Sequence, residues 1–170
     1  MGAPLTIRPI QERDAAPFLE LCQRLDAETR TMLLEPDERA TTVEQQAETI
    51  RALRETPNQA IFVAEQDAEL IGYIAAYGGR YRRNRHSAMI VIGIRPTYGG
   101  QGVGTRLFET MERWARQQGL HRLELTVMAH NQAALALYVK MGFAVEGKLR
   151  HTIRIDGAYI DEYAMAKLLT

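Results

Sequence analysis

Four glycines, Gly99, Gly100, Gly102 and Gly104, fall within six residues of the stretch "TYGGQGVGTRLF" and run directly into an apolar repeat of helical spacing. Glycine is costly to order, so the cluster implies either turns of positive φ or a ligand that must touch bare backbone. Unpaired N–H groups and the positive end of a helix dipole cradle phosphate or pyrophosphate. The competing reading is an ordinary strand-to-helix turn. G-x-G-x-x-G is absent from every register, and no Gly-Lys-Ser/Thr ending marks a P-loop, so neither dinucleotide binding nor triphosphate hydrolysis is indicated. Downstream, Tyr138 lies seven residues after Asn131, two turns along one helix face. Asn131 suits a helix cap, and Tyr138 suits a core aromatic on an amphipathic helix.

The elements that position these residues follow from periodicity. Leu5 to Ile10 alternates as a strand, and "RDAAPFLELCQRLDAET" has the spacing of a helix. "RTMLLEPDERA" has no period and reads as an irregular, mobile loop. In "TTVEQQAETIRALRET", Thr41 or Thr42 caps a second helix, with Val43, Ala47, Ile50 and Leu53 or Arg54 on related, apolar faces. "AIFVAEQ", "AELIGYIAAYGG" and "SAMIVIGIR" form an antiparallel meander of three strands.

After the glycine loop, Leu107, Phe108, Met111, Trp114 and Ala115 make one face of a helix that Gly119 closes, with Glu109–Arg113 and Glu112–Arg116 as i,i+4 pairs. "RLELTV" is the next strand, joined to "SAMIVIGIR" by a right-handed parallel crossover. "NQAALALYVKMGF" is the last helix, and two strands close around an Asp156-Gly157 turn. No repeat or linker divides the chain, so residues 1–170 form a single α/β domain.

Composition restricts the partners. Basic and acidic side chains balance at 21 each, which argues against a nucleic-acid partner. "RYRRNRH", residues 80 to 86, is the one dense charge run and reads as a solvated hairpin tip, with attraction of an acidic substrate or RNA as the alternative. Cys22 is the only cysteine, so neither an internal disulfide nor a cysteine-based zinc cluster is available, and no metal is expected. No apolar run of about 18 residues spans a bilayer, and the N-terminus lacks the pattern of a signal peptide. Those features predict a cytoplasmic protein without a membrane partner. "MGAPLT" matches a loose myristoylation pattern, but "LTIRPI" must reach the sheet.

Two stretches together resemble the GNAT superfamily of N-acetyltransferases. "IRPTYGGQGVGTRLFETMERWA" is similar to its coenzyme A signature, Arg/Gln-x-x-Gly-x-Gly/Ala, with Gly102 and Gly104 in register. "NQAALALYVKMGFAVEGKLR" is similar to its Asn-x-x-Ala-x-x-Leu-Tyr-x-x-x-Gly-Phe pattern at Asn131, Ala134, Leu137, Tyr138, Gly142 and Phe143. The resemblance implies a mixed central sheet of about seven strands flanked by helices, and acetyl-CoA as cosubstrate. It implies that the strands ending near Ile94 and spanning 122 to 128 splay apart to admit the pantetheine arm beside Ile92, Gly93 and Ile94. The pyrophosphate would rest on Gly99, Gly100, Gln101, Gly102, Val103, Gly104 and Thr105. Asn131 and Ala134 would contact the cofactor, and Tyr138 would protonate the leaving thiolate.

The usual Arg or Gln of the signature falls here on Gly99, which moves the burden to the amides, with Arg95, Arg106 or Gln101 as helpers. Many relatives carry a Glu on the strand before the loop, but "SAMIVIGIR" has no acid. The base is therefore sought among Glu124, His86, Glu28 and Glu35, with Glu124 on the following strand entered as the catalytic candidate. The expected acceptor is a primary amine, either a small molecule or a peptide N-terminus. A non-catalytic acyl-CoA-binding module and an RNA-binding accessory protein are the alternatives. The resemblance also implies a homodimer, since the closing strands near 143 to 168 leave an edge available.

Overall fold

The computed structural model describes residues 2–170. Its strands are β1 (Thr6–Pro9), β2 (Gln59–Gln66), β3 (Glu69–Gly78), β4 (Ser87–Ile94), β5 (Arg122–Met128), β6 (Ala144–Ile155) and β7 (Ala158–Leu168). The helices are α1 (Ala15–Glu28), α2 (Val43–Arg54), α3 (Val103–Gln117) and α4 (Gln132–Lys140). All seven strands join one sheet in the order β1-β2-β3-β4-β5-β7-β6. Only β4 and β5 run parallel. The strand–loop–helix–strand crossover, the meander and the closing hairpin are therefore those expected from the pattern.

The alternation of the strands divides the core in two. Phe62, Ile74, Ile90, Leu123 and Leu125 face α3, which contributes Leu107, Phe108 and Met111. Ile61, Val63, Tyr73 and Ala75 face the other way, against Phe18, Leu21 and Leu25 of α1 and Ile50 and Leu53 of α2.

Local chemistry sets the element ends. Thr42 caps α2 by accepting from the Gln45 N–H at 3.2 Å, and the Gln45 side chain accepts from the Thr42 N–H at 2.9 Å. With the cap at Thr42, Val43 begins the helix on its exposed side, and the buried stripe is Gln46, Ile50 and Leu53. The expectation that Val43 joins the apolar face is corrected accordingly.

The segment from 30 to 40 is irregular, as its sequence suggests, but it is pinned. Arg39 grips Asp26, which is only 3% exposed, with nitrogens 2.5 and 3.0 Å from the two carboxylate oxygens. On α3, Glu112 pairs with Arg116 at 2.8 Å and also takes Lys167. Among the described residues Glu109 and Arg113 form no such pair. The 80 to 86 tip projects between β3 and β4, where Asn84 Oδ1 accepts from the Tyr81 N–H at 2.9 Å and the four arginines lie exposed.

Candidate functional site

β4 and β5 hold together over three residue pairs, Ser87–Arg122, Ala88–Leu123 and Met89–Glu124, and then separate. The other face of the β4 ladder is fully paired with β3 as far as Ile94. Arg95 N–H donates to Ile71 C=O at 2.9 Å, so in this antiparallel ladder odd-numbered residues bond β3 and even-numbered ones point away. The C=O of Ile90 and the N–H and C=O groups of Ile92 and Ile94 therefore look into the opening between β4 and β5, where an extended ligand can bond them as a strand would. Gly93 spends its backbone on β3. It must be glycine for another reason, since a β-carbon there would lie 2.7 Å from Leu25 Cδ1 under α1.

The glycine loop stands at the wide end of this opening, and its glycines have separate causes. Gly100 and Gly102 adopt φ of 70° and 81°, a region that disfavours side chains. A β-carbon at either would meet nothing within 4 Å, so both present bare backbone outward. Gly104 has ordinary helical φ but no room, because a β-carbon would fall 2.6 Å from Leu137 Cδ2 and 3.2 Å from Ile94 Cδ1. It is where α3, α4 and β4 meet. Gly99 bends with φ −66° and ψ 150°, a conformation open to any residue.

The result is a cluster of donors. Among the described residues, the N–H groups of Gly100, Gln101, Gly102, Val103, Gly104 and Thr105 find no acceptor, whereas Arg106 N–H bonds Gly102 C=O at 3.1 Å and begins the helical ladder. The helpers expected from sequence are largely engaged. Arg95 is held by Glu28 at 3.1 Å and Glu69 at 2.6 Å, Arg106 bonds Leu5 C=O, and Gln101 reaches Thr97 C=O at 3.3 Å. A cation not foreseen is present instead. Lys140, from the end of α4, places its Nζ 3.2 Å from Thr105 Oγ1, in the first turn of α3. Among the described residues it has no carboxylate partner, and an ammonium beside the positive end of a helix is favourable only toward an anion. Helix α4 brings it there through tertiary packing, which no local motif announces.

Asn131 caps α4, its Oδ1 accepting from the Ala134 N–H at 3.2 Å. Among the described residues its side-chain amide hydrogens have no partner, while Ala134 is left with only its methyl to offer. Tyr138 is 7% exposed, edge-on to Phe108 at 5.7 Å and tilted to Phe143 at 6.3 Å. Burial pushes its hydroxyl up to about 12, so it is a neutral donor at ordinary pH. Among the described residues that hydroxyl makes no hydrogen bond, and none of their side-chain polar atoms is both fully buried and unpartnered, so it reaches the molecular surface.

Glu124 is opposite Met89, the last paired position, and thus stands at the vertex of the opening. Leu123 and Leu125 face α3, so Glu124 faces the α1 side. Arg122 fixes its carboxylate at 2.6 Å and also grips Glu146. The other acids and His86 are less well placed. His86 stands before β4, about 26 Å along the strand from Ile94, and its C=O receives the His121 and Arg122 N–H groups. Glu28 is bound to Arg95, and Glu35 is exposed.

Residues 21–143 match the family model described as "Acetyltransferase (GNAT) family". The chain belongs to the GNAT family. Among solved GNAT structures, an acetyltransferase from Streptococcus pneumoniae superposes with a TM-score of 0.95 at 32% identity, covering 98% of this chain and 100% of that one. The structure of yncA from Salmonella typhimurium with its cofactor acetyl-CoA shares the GNAT fold, with a TM-score of 0.86 over 98% of this chain and 94% of that one, at 21% identity. Among curated relatives, the spermidine N(1)-acetyltransferase of Escherichia coli K12 is 34% identical over 99 residues, 58% of this chain. The chain spans about half the length of that relative, 52%. The seven-stranded mixed sheet flanked by helices expected of a GNAT protein is present. Among the described residues no helix is long and apolar enough to cross a membrane.

Proposed function

We propose that this protein transfers the acetyl group of acetyl-CoA to an amine, a small molecule or a peptide N-terminus. The observation that carries the reading is the parting of β4 and β5 beneath six acceptor-free amides. These features fit the cosubstrate: the amides of residues 100 to 105 and Lys140 suit its pyrophosphate, the inward groups of Ile92 and Ile94 its pantetheine amides, and the side-chain amide of Asn131 a further contact. When bound, acetyl-CoA supplies an activated acetyl carbon that bonds to the amine nitrogen while its C–S bond breaks, the electron pair leaving on sulfur.

The residues of the chain then have three tasks. The loop and β4 hold the thioester arm extended and screen it from water. Glu124, at the vertex, accepts the proton that an ammonium of ordinary pKa near 10 must lose before it attacks, directly or across a water. Tyr138 donates its hydroxyl hydrogen toward the sulfur as negative charge develops. The test is release of free thiol from acetyl-CoA with and without a panel of amines, with mass spectrometry of the acetamide products. Tight coenzyme A binding with no amine-dependent thiol release across the panel would leave an acyl-CoA-binding module instead.

A further inference from the structure

Glu162 lies on β7 directly opposite Met128 of β5 and Leu149 of β6. Being cross-strand partners, these three side chains share the sheet face that carries Glu124, the face away from Tyr138. Along its own strand the same face presents Ile160 and Ala164, so the carboxylate is ringed by apolar neighbours. It is half-buried, and among the described residues it makes no hydrogen bond and no ion pair. Its neighbour Asp161, turned to the opposite face, is fully engaged with Lys148 and the His151 N–H. Its oxygens remain open to solvent, so the carboxylate is free to take a cation from a ligand, and the apolar neighbours strengthen that attraction by keeping part of the water away.

The main sheet contacts of α1 and α2 on this face are with β3 and β2. At the far side Arg30 pairs with Asp156 in the β6–β7 turn. Glu162 thus stands on the part of the face where β5 borders the gap with β4. Met128 stands four residues beyond Glu124, about 13 Å along the strand. A carboxylate that far from the vertex is out of reach of the attacked nitrogen but within reach of a second cationic group on the same molecule.

We infer that Glu162 binds a second positive charge of the acceptor, which makes small aliphatic di- and polyamines the preferred substrate class. The inference rests on the acetyl-transfer reading and on Glu124 marking the reacting end. Glu162 then acts by placing the acceptor, so its effect falls on substrate binding rather than on bond-making.

The experiment compares 1,8-diaminooctane with n-octylamine, which share a hydrocarbon body and differ in the second charge, in the parent protein and in Glu162→Gln. A charge-assisted hydrogen bond lost in a half-buried site corresponds to about tenfold or more in affinity. The parent is expected to favour the diamine by at least about tenfold in kcat/KM. Glu162→Gln should erase that preference through KM, with kcat and the monoamine rate unchanged, which also shows the variant to be folded. Equal preference in the two proteins overturns the inference while leaving acetyl transfer intact. Calorimetric binding of the diamine to the coenzyme A complex is the second readout. If neither amine is acetylated, it decides alone, and undiminished binding to Glu162→Gln overturns the role.

Discussion

Replacing Tyr138 by Phe tests the chemistry most directly, because the structure separates the hydroxyl from the ring. The ring packs on Phe108 and Phe143, and Phe fills the same space. The hydroxyl bonds nothing in the chain, so its removal orphans no partner, and stability should change by less than about 1 kcal/mol. Its effect on transfer follows from acidity. The phenol is pushed up to about 12, and an ordinary thiol sits near 8.5, so full proton transfer to a solvated thiolate would be uphill by about 5 kcal/mol at 1.36 kcal/mol per unit. In the water-poor gap the thiol rises as well, and the mismatch shrinks toward that of the free groups, about 2 kcal/mol.

On the proposed mechanism Tyr138 would then act mainly as a hydrogen-bond donor to developing negative charge, a contribution of about 3 to 4 kcal/mol, or 10²- to 10³-fold in rate. Single-turnover acetyl transfer measures it free of product release. Since the hydroxyl keeps its proton until about pH 12, the rate of the parent should show no basic limb from Tyr138 below about pH 11. Coenzyme A affinity should change little. A Tyr138→Phe protein within about threefold of the parent would refute the reasoning and assign the donor to water.

At the phosphate end, Gly99→Arg fits a conformation open to any residue and should tighten coenzyme A about three- to tenfold, while Lys140→Met should weaken it by a similar factor, with titration calorimetry as the measure. Gly102→Val puts a β-branched side chain at φ 81° and into the ligand's path, and should abolish detectable binding at a stability cost of about 1 to 3 kcal/mol. Asp14, 5% exposed, is held well below the usual carboxylate range by the Arg8 guanidinium. Because its folded value is depressed, its stabilisation is complete above about pH 5 and disappears as the pH falls through and below 3.8. Asp14→Asn should accordingly cost about 2 to 4 kcal/mol in urea unfolding at pH 7, and the difference from the parent should shrink steadily as the pH falls below 3.8. β6 is the outer strand of the sheet, with Val145 and Leu149 exposed, so light scattering should find a homodimer; a lone 19.2 kDa species at working concentration would count against the pairing.

Much of this protein is legible from its residues because the controlling interactions are local. Alternation in "AIFVAEQ" and "RLELTV", the Thr42 cap, the glycines at positive φ and the Asp156-Gly157 turn each act within a few residues, so type and spacing determine the elements and their order. The acceptor-free amides of residues 100 to 105 were legible for the same reason, since a glycine-rich turn entering a helix leaves the first N–H groups without intrahelical partners. Tertiary structure alone decided what those amides face and which charges remain free. Arg95 looked available but is consumed by Glu28 and Glu69, separated from it by 67 and 26 residues, whereas Lys140 arrives 35 residues after Thr105 to stand beside it. Gly104 looked like a phosphate contact, yet its missing β-carbon is explained by Leu137 of a helix far along the chain. Glu162 had no motif at all, and its importance comes from Met128 and Leu149 on two other strands. Ion pairing and register join residues distant in sequence, and a charge is spent or spared only when the folded chain has brought its partners within reach.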